Sequence, residues 1–189
     1  NKQERKVLLR IKGTAINNMA VSYFIFGELD SALLFFEQAE KVHAANSQTG
    51  RWADALNNQS QVLGLLGRHA EQRRRLFQAL AVYQGVHDGI NTGNALNNIG
   101  NYYAERGLPD SALIFLDSSL VVFTNLKDPL GMANSLLNIG MNHVQRGRPA
   151  EALEKLVASE KLYAALKNDP GLAVCLNNIG SLYKDQGIL

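Results

Sequence analysis

Asn18, Asn58, Asn98, Asn138 and Asn178 stand 40 residues apart along the whole chain. Gly27, Gly67, Gly107, Gly147 and Gly187 keep the same interval, as do Ile16, Leu56, Leu96, Leu136 and Leu176. Tyr23, Leu63, Tyr103, His143 and Tyr183 form a fourth column, Phe36, Leu76, Leu116 and Leu156 a fifth, and His43, Tyr83, Phe123 and Tyr163 a sixth. Columns in phase over this length, with no insertion, mark a repeat architecture. Each unit leaves an apolar face that only its neighbours can cover.

Each repeat reads as a helix pair. At 100° per residue Leu96, Ile99 and Tyr103 share one face of a first helix, A. Gly107 ends it in the left-handed conformation. Asp110 is expected to supply an N-cap oxygen to the second helix, B. Ala112, Leu113, Leu116, Leu120 and Phe123 then recur at helical spacing. Lys127-Asp128-Pro129 closes the pair, because the residue before a proline leaves the α region. The spacing predicts A helices near 10–26, 51–66, 91–106, 130–146 and 171–186. B helices are predicted near 30–46, 69–86, 110–126 and 149–167. Residues 1–9 lack an Asp-Pro break and are expected to extend the first helix. The fold class is therefore all-α, a solenoid of about 4.5 helix pairs. It forms a single domain over 1–189, with repeats at about 10–49, 50–89, 90–129 and 130–169 and a half repeat at 170–189.

The string Ala95-Leu96-Asn97-Asn98-Ile99-Gly100, followed by Tyr103, Gly107, Ala112 and Leu116, resembles a tetratricopeptide repeat. Leu176-Asn177-Asn178-Ile179-Gly180 with Tyr183 and Gly187 matches as well. The usual repeat of that family is about 34 residues long. A period of 40 resembles its longer-helix branch, as in kinesin light chains, Pins-type spindle regulators and many bacterial signalling proteins. The resemblance covers nearly the whole chain. It implies a right-handed superhelix whose A helices line a concave groove, with a peptide or protein segment as the ligand.

The face of each A helix opposite the apolar stripe is rich in asparagine. The third repeat carries Asn94, Asn97, Asn98 and Asn101, then Glu105. The second carries Asp54, Asn57, Asn58 and Gln61. The fourth carries Asn134, Asn138 and Met141, the fifth Asn177, Asn178 and Ser181, and the first Thr14, Asn17 and Asn18. Asparagine costs about 0.5 kcal/mol against alanine in a helix interior, so a solvated face alone does not explain it. A carboxamide offers two donors and an acceptor without a charge to desolvate. It can therefore pair with both the C=O and the N–H of an extended backbone. Two readings stand for the column from Asn18 to Asn178. It lines the groove, or it hydrogen-bonds a neighbouring helix and sets the spacing of the repeats.

Three features depart from the pattern. In the second repeat Gln72 and Arg73 replace the usual Ala and Leu among Arg68, His69, Arg74 and Arg75. This predicts a loosened first turn, or alternatively an outer-face site for an acidic segment. Trp52 reads as a packing anchor between repeats, and His143 and Cys175 as packing residues. The last helix carries Leu176, Ile179 and Tyr183 with no helix B to cover them, so self-association through this open face is expected. The open face and a start without Met also make a fragment of a longer protein the expectation.

Composition narrows the function. Nineteen basic against seventeen acidic residues, net +2, argue against a nucleic-acid partner. No apolar run reaches the roughly 20 residues a membrane span needs. The charged opening, residues 1–10, is no signal peptide, and a cytoplasmic location is the expectation. One cysteine excludes a disulfide framework. There is no phosphate-cradling loop, nucleophile elbow or metal-ligand spacing. The expectation is a non-catalytic scaffold without cofactors that binds a protein or peptide. A rival is a ligand- or peptide-sensing regulatory domain of a bacterial sensor kinase or transcriptional regulator. An RNA-binding helical repeat would need a basic groove with base-stacking aromatics, and the amide-rich face counts against it.

Overall fold

A computed structural model describes residues 1–46 and 48–187 of the chain. Residues 188 and 189, the end of the predicted half repeat, lie outside the described residues. Among the described residues there are nine helices and no strand. They are α1 (Lys2–Ile25), α2 (Leu29–Ala45), α3 (Thr49–Leu65), α4 (His69–Gly85), α5 (Gly89–Ala104), α6 (Pro109–Leu126), α7 (Pro129–Gln145), α8 (Pro149–Ala165) and α9 (Asp169–Asp185). Odd-numbered helices are the A helices and even-numbered ones the B helices. Except at the start of α1, every boundary falls within two residues of the predicted one. The N-terminal extension of α1 is real and has a local cause. The Asn1 side chain accepts from the N–H groups of Gln3 and Glu4, while Glu4 reaches back to the Asn1 amine at 2.8 Å. This reciprocal cap satisfies the first orphan donors of the helix.

The column from Gly27 to Gly187 lies just past the A helices with φ between 65° and 79°, the left-handed conformation that closes a helix. Asp110 does not cap α6. Pro109 takes the first helical position, where its missing N–H costs nothing, and this shifts Asp110 one residue inside the helix. There it forms an ion pair with Arg146 at 2.6 Å. Besides Asn1, capping side chains are Asp128, which accepts from the Leu130 N–H, and Asn168, which accepts from the Gly171 N–H.

Two compact units divide the chain, Asn1–Asp88 and Gly89–Leu189. In the first unit α1 to α4 pack in sequence order. Ala20, Ala32, Leu33, Phe36, Val62 and Leu63 form one buried cluster in it. The helix α4 is regular from His69 onward, contrary to the loosened turn expected at Gln72. The reason is a paired swap: Gln72 is buried where other repeats have Ala, and Gly64 of α3 makes room for it. A Cβ at Gly64 would stand 2.7 Å from the Gln72 amide nitrogen. The three arginines splay as their spacing implies. Arg73 lies over the Phe77 ring, Arg74 approaches Glu71, and Arg75 reaches Glu40 at 3.3 Å. Glu40 also accepts from Gln59 at 2.9 Å and from the Trp52 indole at 3.5 Å, so Trp52 ties α3 to α2.

In the second unit α5 to α9 also pack in order, and α5 meets α7 and α7 meets α9 directly. Small residues set the close approach of each A helix to its own B helix. A Cβ at Gly100 would lie 2.5 Å from Leu116, and one at Gly140 would lie 2.8 Å from Leu156. Buried hydroxyls tie the pairs together. Ser119 donates to the Gly93 carbonyl at 2.8 Å and Ser159 to the Ala133 carbonyl at 2.7 Å. Cys175 is fully buried, and its thiol donates to Ser159 at 3.3 Å. Burial pushes that thiol above its ordinary pKa, which keeps it protonated and unreactive.

Candidate ligand-binding face

The exposed faces of the A helices hold the predicted asparagines, but not all of them point outward. Asn94, Asn98 and Asn101 of α5, with Glu105 just past its end, span about 60° of arc, and Asn97 lies about 40° beyond that edge. The angle decides its fate. Asn97 is buried, and its amide donates to Ser135 of α7 at 3.1 Å. Ser135 in turn meets Ser119 and the Gly131 carbonyl. The Asn97 Oδ1 has no hydrogen-bond partner. Asn97 therefore sits in the packing between α5 and α7. Asn94 is exposed, and Asn98 and Asn101 are half-buried on the open face.

On α7, Asn134 and Asn138 are half-buried and Met141 is exposed. On α9, Asn177 is exposed, and the Asn178 amide bonds the Val174 carbonyl one turn back at 2.8 Å. In the first unit Asn17, Asn57 and Asn58 are half-buried and Asn18 is exposed. Asn18 lines a cavity of about 460 Å³ with Arg10, Ile11, Thr14, Ala15 and Arg51. Arg51 of α3 is pinned across this cavity by a hydrogen bond to Thr14 of α1. In the second unit the structure thus brings Asn94, Asn98, Asn101, Asn134 and Asn138 onto the open faces of two touching helices, and turns Asn97 inward.

A second layer beneath this face was not foreseen. Tyr83 of α4 donates its hydroxyl to Asp54 at 2.8 Å, and Tyr163 of α8 donates to the Asn134 Oδ1 at 2.5 Å. Burial raises both phenols above their ordinary pKa, Tyr83 the more strongly, with the Asp54 hydrogen bond adding there. Both therefore remain donors. The sequence carries a signal for this. The sixth column trails the Thr14, Asp54, Asn94, Asn134 column by 29 residues throughout. Tyrosine follows Asp54 and Asn134, whereas Thr14 and Asn94 are followed by His43 and Phe123.

Among the described residues no helix is long and apolar enough to cross a membrane, and no group of three His, Cys, Asp or Glu side chains is placed to hold a metal ion.

The tetratricopeptide-repeat model matches residues 47–124. No curated protein matches the chain by sequence. Several solved structures share its fold. BtubC (BKLC) from P. vanneervenii is 21% identical, with a TM-score of 0.74 over 85% of this chain and 66% of its own. A Rap protein complexed with Competence and Sporulation Factor is 15% identical, with a TM-score of 0.78 over 91% of this chain and 48% of its own. A Signal Transduction ATPase with Numerous Domains from Pyrococcus horikoshii, which has a tetratricopeptide repeat sensor, is 12% identical. Its TM-score is 0.81 over 92% of this chain and 27% of its own. The chain thus spans two thirds or less of each of these three proteins. Residues 47–124 match the tetratricopeptide-repeat model, and the chain as a whole shares the all-α helical-repeat fold of these structures.

Proposed function

We propose that the chain is a non-catalytic binding module whose A-helix faces grip an extended peptide or protein segment by its main chain. The observation that carries this reading is the row of uncharged amides on α5 and α7. These are poor helix formers kept on an open face, and Asn134 is held in orientation from below by Tyr163. The Rap structure taken with Competence and Sporulation Factor supports a ligand of this kind. The Rap and ATPase likenesses also favour a narrower version, in which the bound segment is a signal and this chain is the sensor of a longer regulatory protein.

The test uses the whole chain and a phage-displayed library of random dodecapeptides. Each neutral hydrogen bond nets about 0.5–1.5 kcal/mol. Asn98→Ala with Asn138→Ala should therefore weaken selected peptides by about 1–3 kcal/mol, roughly five- to 150-fold. Stability should hold or rise slightly, since alanine is the better helix former. A loss of stability of several kcal/mol, with binding that merely tracks the folded fraction, would show the column to be structural. Affinity for a single-stranded RNA that falls steeply with salt would revive the nucleic-acid reading.

A second proposal concerns α9. Leu176 is 52% exposed, and nothing lies within 4 Å of a Cβ built at Gly180. The same column is filled by Leu116 at Gly100 and by Leu156 at Gly140. We propose that this face closes against a second copy of the chain. Sedimentation velocity over a concentration series should then show reversible association, weakened by Leu176→Lys. A strictly monomeric chain across the series is the opposing result.

A further inference from the structure

We infer that Asn94 is the groove residue that pairs with both the C=O and the N–H of a bound segment, and that Phe123 beneath it secures this role by withholding a hydroxyl. The inference rests on the groove reading above and says which amide does what.

The four residues of the sixth column are all buried. Tyr83 takes Asp54 and Tyr163 takes Asn134. His43 turns its ring nitrogen to Gln48 at 2.7 Å. Phe123 has nothing polar to offer. Its ring is wedged between α5 and α7, and its Cζ points at Gly93, where a Cβ would stand 2.6 Å away. A hydroxyl on that carbon would emerge beside Asn94, as the phenols of Tyr83 and Tyr163 emerge beside Asp54 and Asn134. Asn94 is exposed, and among the described residues none hydrogen-bonds its side chain.

The two amides therefore differ in what they can read. Tyr163 takes one lone pair of the Asn134 Oδ1 and holds that oxygen towards its own buried hydroxyl, so Asn134 offers a ligand chiefly its N–H donors, which suit a ligand carbonyl. Asn94 keeps donor and acceptor, which suit both groups of one extended residue. A ligand position over α7 then tolerates proline or an N-methyl group, whereas the position over α5 requires a free N–H.

The experiment measures binding of a library-selected dodecapeptide to the whole chain and its variants, with the side-chain NH₂ signals of Asn94 and Asn134 followed by NMR. Phe123→Tyr should weaken binding about tenfold, the worth of one or two neutral hydrogen bonds, and should move the Asn94 NH₂ signals in the free protein. Asn94→Ala should weaken binding as much, and combining the two should add little. Tyr163→Phe releases the Asn134 Oδ1 and should make N-methylation of the ligand over α7 costly, where the parent tolerates it. Should Phe123→Tyr fail to fold, Asn94→Ala and Tyr163→Phe decide the matter. Unchanged affinity in Asn94→Ala overturns the inference. So does a folded Phe123→Tyr with wild-type affinity and unmoved Asn94 signals. If those variants bind normally while Asn98→Ala with Asn138→Ala does not, the groove reading survives and only this inference fails. A library without binders overturns both.

Discussion

Gly131→Val should destabilise the second unit by about 3 kcal/mol, the upper end of the usual cost of overpacking a core. A Cβ at Gly131 would lie 2.1 Å from the Phe123 ring, which is 1% exposed. The ring cannot swing aside, because its far edge is packed as tightly on α5, where a Cβ at Gly93 would stand 2.6 Å from its Cζ. The gain in helix propensity, about 0.5 kcal/mol for valine over glycine, offsets little of this. Gly180→Ala is the matched control. It also lies in the interior of an A helix but has nothing within 4 Å, so it should gain about 1 kcal/mol. Urea denaturation of the two variants separates a packed glycine from an open one. Equal effects would mean that Phe123 is not clamped as described.

Asn142→Leu should raise stability by about 2–3 kcal/mol. Asn142 is 1% exposed, and neither atom of its amide has a hydrogen-bond partner. Its column holds Val62, Tyr102 and Leu182 in the neighbouring repeats, all buried. Each unsatisfied buried polar atom costs about 1–3 kcal/mol, and leucine removes both while keeping the same branched shape. For a unit of this size Tm should rise by roughly 10 °C. A variant no more stable than the parent would show that the amide is satisfied in solution, by water or by a shifted neighbour.

Most of the fold was legible because its signals repeat. One left-handed glycine is weak evidence, but five at a fixed interval place every A-to-B turn. The swap of Gln72 against Gly64 was legible only by half: Gln72 breaks a column of alanines, but Phe24, Gly64, Ala104, Val144 and Lys184 set no pattern for Gly64 to break. The failure at Asp110 was local: Pro109 pre-empted the first helical position and moved the cap. The candidate site was harder to read. Asn97 and Asn98 are adjacent asparagines, and only the 100° between them separates a buried tie to Ser135 from an open face. A single helix drawn from sequence shows which residues share an arc. It does not show how close the next A helix comes, and that distance decides whether the edge of the arc is wet or packed. The phenols below Asp54 and Asn134 act across 29 residues and two helices, so they show only when two columns are read together.

A backbone N-methyl scan of a library-selected dodecapeptide tests the central claim, that the amide face grips main chain. Binding to the whole chain is measured by calorimetry, next to an alanine scan of the same peptide. The account predicts that N-methylation at two or more positions lowers affinity tenfold or more, while most alanine substitutions cost less. Those losses should shrink in the Asn98→Ala, Asn138→Ala protein, because a contact already removed cannot be lost again. Full affinity after N-methylation at every position, with binding set by side chains alone, would contradict it.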